Sequence, residues 1–408
     1  MSNERRRSRR TPERDTSHVP DLAQALRRSA ELKDDLVAFG ESRSFERFLD
    51  PLLTEAVSPE GALDEATAIN VIDRFLLQHR LPDGTTVADR FVTRRTALTD
   101  ADRQMVLAWR DPVEGIFEVR GKDGDCLLLL NLVDDLEYRA YTNAGRSAFR
   151  GVAKEGFLGA RLVGLTTVPG AWLVSGVMSS YPRAAAPEIA AAALDLATSR
   201  PDLVFRNPEK VEEGWRSMRE DRAAFADFFG SDELVLTVGE AEERINAYYR
   251  HRQQTATAAQ RPGRARGNQH ATPEVPLFTL PAELADAETI GVIYDQVDGL
   301  NFYADYGALL DLFANPDLAG RKHHQDLLRT YLREETITPL PIRRLTAVHP
   351  QNVDTVFRRL LRQPGFTWSE HGDALLRRRK PWYDETEPRP GVSVIGDRLS
   401  ELLRVRPR

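Results

Sequence analysis

A single cysteine, Cys126, in 408 residues excludes an internal disulfide and a cysteine-based zinc cluster, which fits a reducing compartment. No apolar run approaches the roughly 18 residues that a membrane-spanning helix requires. The opening residues, MSNERRRSRRTPERD, are basic but contain no apolar stretch of the kind a secretory signal carries. The expectation is a cytoplasmic protein with no membrane partner. The motifs of common enzymes are missing too: no P-loop, no dinucleotide-binding glycine fingerprint, no nucleophile elbow, no H-E-x-x-H and no kinase set. The eight histidines are scattered. His323 and His324 are neighbours, so on a helix they face different sides and do not share a metal. No residue is assigned a catalytic, cofactor-binding or metal-binding role, and no cofactor is expected. The enzyme reading survives as a second alternative, because a site assembled from distant positions leaves no local motif.

What the chain does have is charge, distributed unevenly. Hydrophobic residues at 41% and charged residues at 29% are globular proportions, and the length calls for two or three domains. The formal charge is −6, yet residues 339–383 carry nine Arg/Lys against three acids, or +6 in 45 residues. Residues 1–17 and 251–275 each add +3, so the remainder sums to −18. A basic patch on an acidic chain points to a localised anionic partner, or to a solvated face docked on the protein's own acidic body.

Taken in order, residues 1–18 are polar and Arg-rich and read as a disordered arm. Residues 19–112 show helical apolar spacing, cut by turns at Ser58–Gly61 and Pro82–Gly84, and read as a small helical lobe with Trp109 in its core. Thr99 before the Met105, Val106, Trp109 stripe reads as a helix N-cap. Residues 113–182 change to β-rich runs separated by tight turns, the pattern of an antiparallel sheet or small barrel of OB or SH3 type. The unbroken run Leu127–Leu130 implies a strand buried on both faces, with Cys126 as inert core. Tyr138, Arg139, Tyr141, Phe149, Arg150 and Arg161 interleave aromatic and basic side chains, as a single-strand-binding platform would, or as an ordinary half-buried sheet would. Adjacent acids such as Asp134 and Asp135 show no sign of a catalytic dyad. Residues 183–251 return to helix, 252–275 lose all periodicity and read as a flexible linker between domains, and 276–408 form a mainly helical C-terminal domain. Asp295 and Asp298 before Gly299 read as a turn, since the oxygen-bearing positions and closing Glu of a calcium loop are missing. Phe302, Tyr306, Leu309, Leu310 and Phe313 continue at helical spacing. The fold class is α+β.

Within the C-terminal domain, His323–Leu332, Ile342–Val348 and Asn352–Arg362 are candidate helices. The third is two-faced: Val353, Val356, Phe357, Leu360 and Leu361 on one side, Thr355, Arg358, Arg359 and Arg362 on the other. Only His349–Gln351 separate the second and third helices, the length of a helix-turn-helix turn. Phe366–Ser369 and Ala374–Arg377 flank Glu370–Asp373 as a candidate hairpin. In this order of elements, residues 322–383 resemble the winged helix-turn-helix superfamily, over about 15% of the chain and at the level of pattern. The resemblance implies a recognition helix at Asn352–Arg362 with Thr355, Arg358, Arg359 and Arg362 toward duplex DNA. It implies a wing carrying Arg377, Arg378, Arg379 and Lys380 on the phosphates, with Arg343 and Arg344 in the same basic region. The leading expectation is a non-enzymatic, regulatory DNA-binding protein whose N-terminal lobe senses a partner or forms a homo-oligomer. The alternative is a protein-interaction adaptor using the same basic face and the β module.

Overall fold

The computed structural model describes residues 22–58, 61–259, 277–385 and 387–404. The basic arm at 1–18 and the linker beyond residue 259 lie outside the described residues, and residues 252–259 complete a helix. The fold is mixed α+β. Its elements are α1 (Leu22–Gly40), α2 (Glu46–Glu55), α3 (Glu65–Leu77), α4 (Val87–Arg94), α5 (Asp100–Ala108), β1 (Val113–Asp123), β2 (Cys126–Asn131), β3 (Glu137–Tyr141), β4 (Phe157–Gly164) and β5 (Ala171–Tyr181). There follow α6 (Ala186–Ser199), α7 (Pro201–Val204), α8 (Pro208–Phe229), β6 (Glu233–Leu236), α9 (Val238–Ala259), β7 (Ile290–Asp295), β8 (Gly299–Ala304), α10 (Tyr306–Ala314), α11 (Lys322–Arg333) and α12 (Leu340–Val348). The chain closes with α13 (Pro350–Leu361), α14 (Trp368–Arg379), α15 (Pro381–Glu385) and α16 (Asp397–Arg404). They form two compact units, Met1–Lys210 with Ser393–Arg408, and Val211–Val392.

In the first unit the five strands close into a barrel in the order β1-β2-β3-β5-β4, antiparallel throughout except for β3 beside β5. That connectivity is of the OB type. The helical lobe and the barrel are not separate modules. Leu32, Leu36, Phe45, Phe75, Phe91 and Trp109 of the lobe share one core with Tyr141, Val163 and Leu173 of the barrel. The short helices are set by their caps: Thr86 with Asp89 and Thr99 with Asp102 each form a reciprocal capping box. Leu127, Leu129 and Leu130 are buried, as the run without alternation requires, and Cys126 is 2% exposed, its thiol pushed up by burial. On another face of the barrel, Leu399 and Leu402 of α16 pack with Ile189, Ala193 and Phe157, and the Arg398 guanidinium donates to both oxygens of buried Glu118 at 2.7 and 2.9 Å. The aromatic platform considered for the β module is not there. Tyr138, Tyr141 and Phe149 are 5%, 8% and 4% exposed; Tyr138 and Phe149 fill the barrel and Tyr141 packs into the core shared with the lobe, because there the apolar area leaves water. Asp134 and Asp135 part company: Asp134 is buried and accepts from the Tyr138 hydroxyl at 2.6 Å, with burial pushing its carboxyl up to about 6, whereas Asp135 takes a left-handed conformation.

A charged network lies inside this unit. The Lys33 ammonium donates to Asp73 at 2.5 Å and to Ser175 Oγ at 2.9 Å, and the Ser175 hydroxyl donates to Asp73 at 2.8 Å. Arg161 stands 3.3 Å from the other Asp73 oxygen. Asp73 is 3% exposed, Ser175 3% and Arg161 6%. These side chains come from α1, α3, β4 and β5, so no local sequence pattern announces them.

In the second unit β6, β7 and β8 form an antiparallel sheet. β6 precedes the expected linker and β7 follows it, so the two sides of that segment belong to one unit, and the expectation of a domain boundary there is corrected. β7 is buried on both faces: Ile290 and Val292 join Phe225, Ile245 and Tyr248 of α8 and α9, while Ile293 joins the core of α10 to α14. That is the alternation of a strand between two layers. The helical spacing read from Phe302 is corrected in the same place. Phe302 and Tyr303 lie in β8, and the chain turns into α10 only after Asp305, which has φ +54°. The residues between Asp295 and Gly299 are the β7–β8 turn, closed by Asp295 accepting from the Val297 N–H at 2.8 Å.

Gly291 shows how closely α10 seats on β7. A Cβ there would stand 2.4 Å from Tyr306 Cγ, and Tyr306 is fully buried. Gly291→Ala is expected to destabilise the protein by about 2 kcal/mol, the scale of overpacking a core, read as a lower urea midpoint with unchanged slope. A neutral result would mean that the helix lies further from the strand.

Candidate nucleic-acid interface

The expected helices at His323–Leu332, Ile342–Val348 and Asn352–Arg362 are α11, α12 and α13. The hairpin expected after them is absent: residues 368–379 are α14, and no strand lies between Tyr306 and Glu385 among the described residues. The sequence carries the reason. Trp368, Gly372, Leu375 and Leu376 fall at i, i+4, i+7 and i+8, and the Thr367 hydroxyl donates to Glu370 at 2.9 Å at the helix start. Gly372, which looks like a turn residue, sits mid-helix because the Trp368 ring occupies the place of its Cβ, 2.6 Å away.

Helix α13 buries Val353, Val356, Phe357 and Leu360 as its pattern requires. Its polar face is less available than a recognition helix needs. The Arg358 Nε donates to the Phe366 carbonyl at 2.7 Å and its Nη2 to Asp354 at 3.1 Å. Arg359 donates to the Pro316 carbonyl at 2.7 Å and pairs with Asp317 at 3.1 Å. Both guanidinia tie the bundle together, since in each case a backbone carbonyl and a nearby carboxylate accept from the fork. Thr355 is half-buried. Arg344 is held by Asp232, Glu233 and Asp295 at 3.1 to 3.6 Å, and Arg343 stacks over the Tyr383 ring with its guanidinium carbon 5.5 Å from the centroid.

Lys380 is the clearest correction. It is 1% exposed and its ammonium donates to the Glu334 carbonyl, so it anchors α14 to the end of α11 and cannot reach a phosphate. Burial brings its pKa from the ordinary 10.5 down to about 8. Between those values the unfolded chain holds a proton that the folded one has released, so stability rises with pH across the window, by roughly 3 kcal/mol at most. Lys380→Met is expected to abolish that rise in denaturation curves taken from pH 8 to pH 10.5. An unchanged rise in the variant would place its source elsewhere.

What remains exposed is a different set. Arg362, in a left-handed conformation at the end of α13, and Arg377, Arg378 and Arg379 in the last turn of α14 are exposed and make no ion pair among the described residues. Two arginines not singled out in the sequence join them. Arg329 and Arg333 lie four apart on α11, hence on one face, and with Arg379 they line a pocket of about 210 Å³ floored by Leu332, Leu360 and Leu361. Arg329 bonds Asp326 at 2.7 Å, while Arg333 has no ion-pair partner among the described residues. The i, i+4 spacing of Arg329 and Arg333 was the available signal. The arrangement defines a cation-rich helix-end surface of a size that takes one phosphate or carboxylate group. No protein-family model, no curated protein and no solved structure matches the chain. No helix among the described residues is long and apolar enough to cross a membrane, and no His, Cys, Asp and Glu side chains among them gather as a metal site would require.

Proposed function

We propose that this protein binds duplex DNA without strong sequence preference, through phosphate contacts made by the arginines at the ends of α11, α13 and α14. The supporting observation is the convergence of Arg329, Arg333 and Arg379 on one phosphate-sized pocket, beside the exposed Arg377 and Arg378. Guanidinium forks match phosphate oxygens in pairs. The base-reading arrangement implied by the winged-helix resemblance has no support in the geometry, because Arg358 and Arg359 are committed to bonds within the bundle. The proposed binding positions a nucleic acid rather than reading it. Fluorescence anisotropy of the full chain with labelled duplexes of unrelated sequence tests this. Similar affinities that fall steeply with salt are expected. Absence of binding at low salt ends the proposal, and capture of a stoichiometric protein released by Arg378→Glu would replace it with the adaptor reading.

A further inference from the structure

The first unit contains a cleft of about 970 Å³, walled by α3, β1, β4, β5 and the end of α6. Nothing in the proposed DNA contact uses it. Arg161 lines it with only 7% of its side chain exposed, and its Nη2 donates to Gln78 Oε1 at 2.7 Å. Nε and Nη1 have no hydrogen-bond partner among the described residues. Two carboxylates stand within 4.0 Å of this guanidinium, and each has a nearer cation: Asp73 has Lys33 at 2.5 Å, and Glu114 has Arg74 at 2.6 Å. Arg161 is therefore the surplus positive charge of a largely desolvated group, a situation that ordinarily calls for a counter-ion. Arg74 and Arg200, both partly exposed, line the same cleft, and Phe75, Val71 and Val177 give it apolar wall.

We infer that this cleft is a binding site for a small organic oxyanion, a carboxylate or phosphate group on a compact, partly apolar body, with Arg161 as its charge partner and Arg74 and Arg200 contacting its outer end. The mixed lining, which includes Glu55 and Glu114, disfavours a polyanion and suits a discrete small molecule. Buried guanidinium and oxyanion form the stronger, charge-assisted class of hydrogen bond.

The test is isothermal titration of the full chain with benzoate in one arm and phenyl phosphate in the other, which separates the carboxylate from the phosphate source. One arm should show saturable one-to-one binding. Arg161→Gln should weaken it by about 10-fold or more, as removing a charge-assisted hydrogen bond does. Because Arg161 also touches the internal network, Gly159→Val provides an independent check. Gly159 lines the cleft, and a Cβ there meets only Tyr181 Cε2 at 3.8 Å, an ordinary contact, so added side-chain atoms fill the space and leave every charge in place. Binding should disappear in Gly159→Val and persist in Arg377→Glu/Arg378→Glu/Arg379→Glu. Failure of both probes to bind the parent chain, or full binding by Gly159→Val, overturns the assignment.

Discussion

Asp73→Ala is expected to destabilise the first unit by about 3–5 kcal/mol, the range for a buried ion pair that loses one partner. Asp73 is the one acceptor that Lys33, Ser175 and Arg161 share. Its removal leaves an ammonium and a guanidinium together with no carboxylate between them, and desolvation already pulls both groups toward their neutral forms. The loss should appear as a lower urea midpoint, and Asp73→Asn, which keeps an acceptor oxygen without the charge, should fall between the variant and the parent. Adding Lys33→Met to Asp73→Ala should restore part of the stability, since the second substitution removes a charge that the first left unpaired. If the double variant is weaker than the single one by the full cost of Lys33→Met alone, the residues act independently and the network account is wrong.

The second large effect concerns the proposed DNA contact. Reversing Arg377, Arg378 and Arg379 to Glu should lower affinity for any duplex by roughly 100-fold at low salt and flatten the plot of log K against log salt by about 3, one for each arginine–phosphate pair removed. The three side chains are exposed in the last turn of α14, so the fold should survive the change. Arg358→Ala makes the informative contrast. Under a recognition-helix arrangement it would relax discrimination between sequences, whereas here it removes bonds to the Phe366 carbonyl and Asp354. The expected outcome is a loss of stability of about 1 kcal/mol with unchanged sequence preference. A sequence-dependent loss would restore α13 to the groove.

The contrast between α13 and α14 shows what kind of information each segment carries. The apolar stripe of α13, Val353 to Leu360, fixes its period and its buried face, and both were legible from spacing alone. The fate of its arginines was not legible, because Asp317 and the Pro316 carbonyl that hold Arg359 lie about forty residues earlier in the chain. For α14 the His-Gly-Asp step looks like a turn. Only the Trp368 ring lying against Gly372 shows why a glycine belongs inside that helix. β7 and β8 escaped notice for a similar reason: β7 is apolar on both faces, so it lacks the alternation that marks a half-buried strand. The cleft residues Arg74, Arg161 and Arg200 come from three separate elements, and no motif connects them.

The sequence by itself determined the α+β class, the period of most helices and barrel strands, the burial of Trp109 and Cys126, and the concentration of positive charge near the carboxyl end. These depend on spacing and composition within a few turns of chain. Only the tertiary structure decided which arginines stay in water, that Lys380 is an internal anchor, that lobe and barrel share one core, and that Lys33, Asp73, Arg161 and Ser175 meet. Such outcomes depend on which distant groups compete for each donor once water is excluded, and a linear pattern holds no record of that competition.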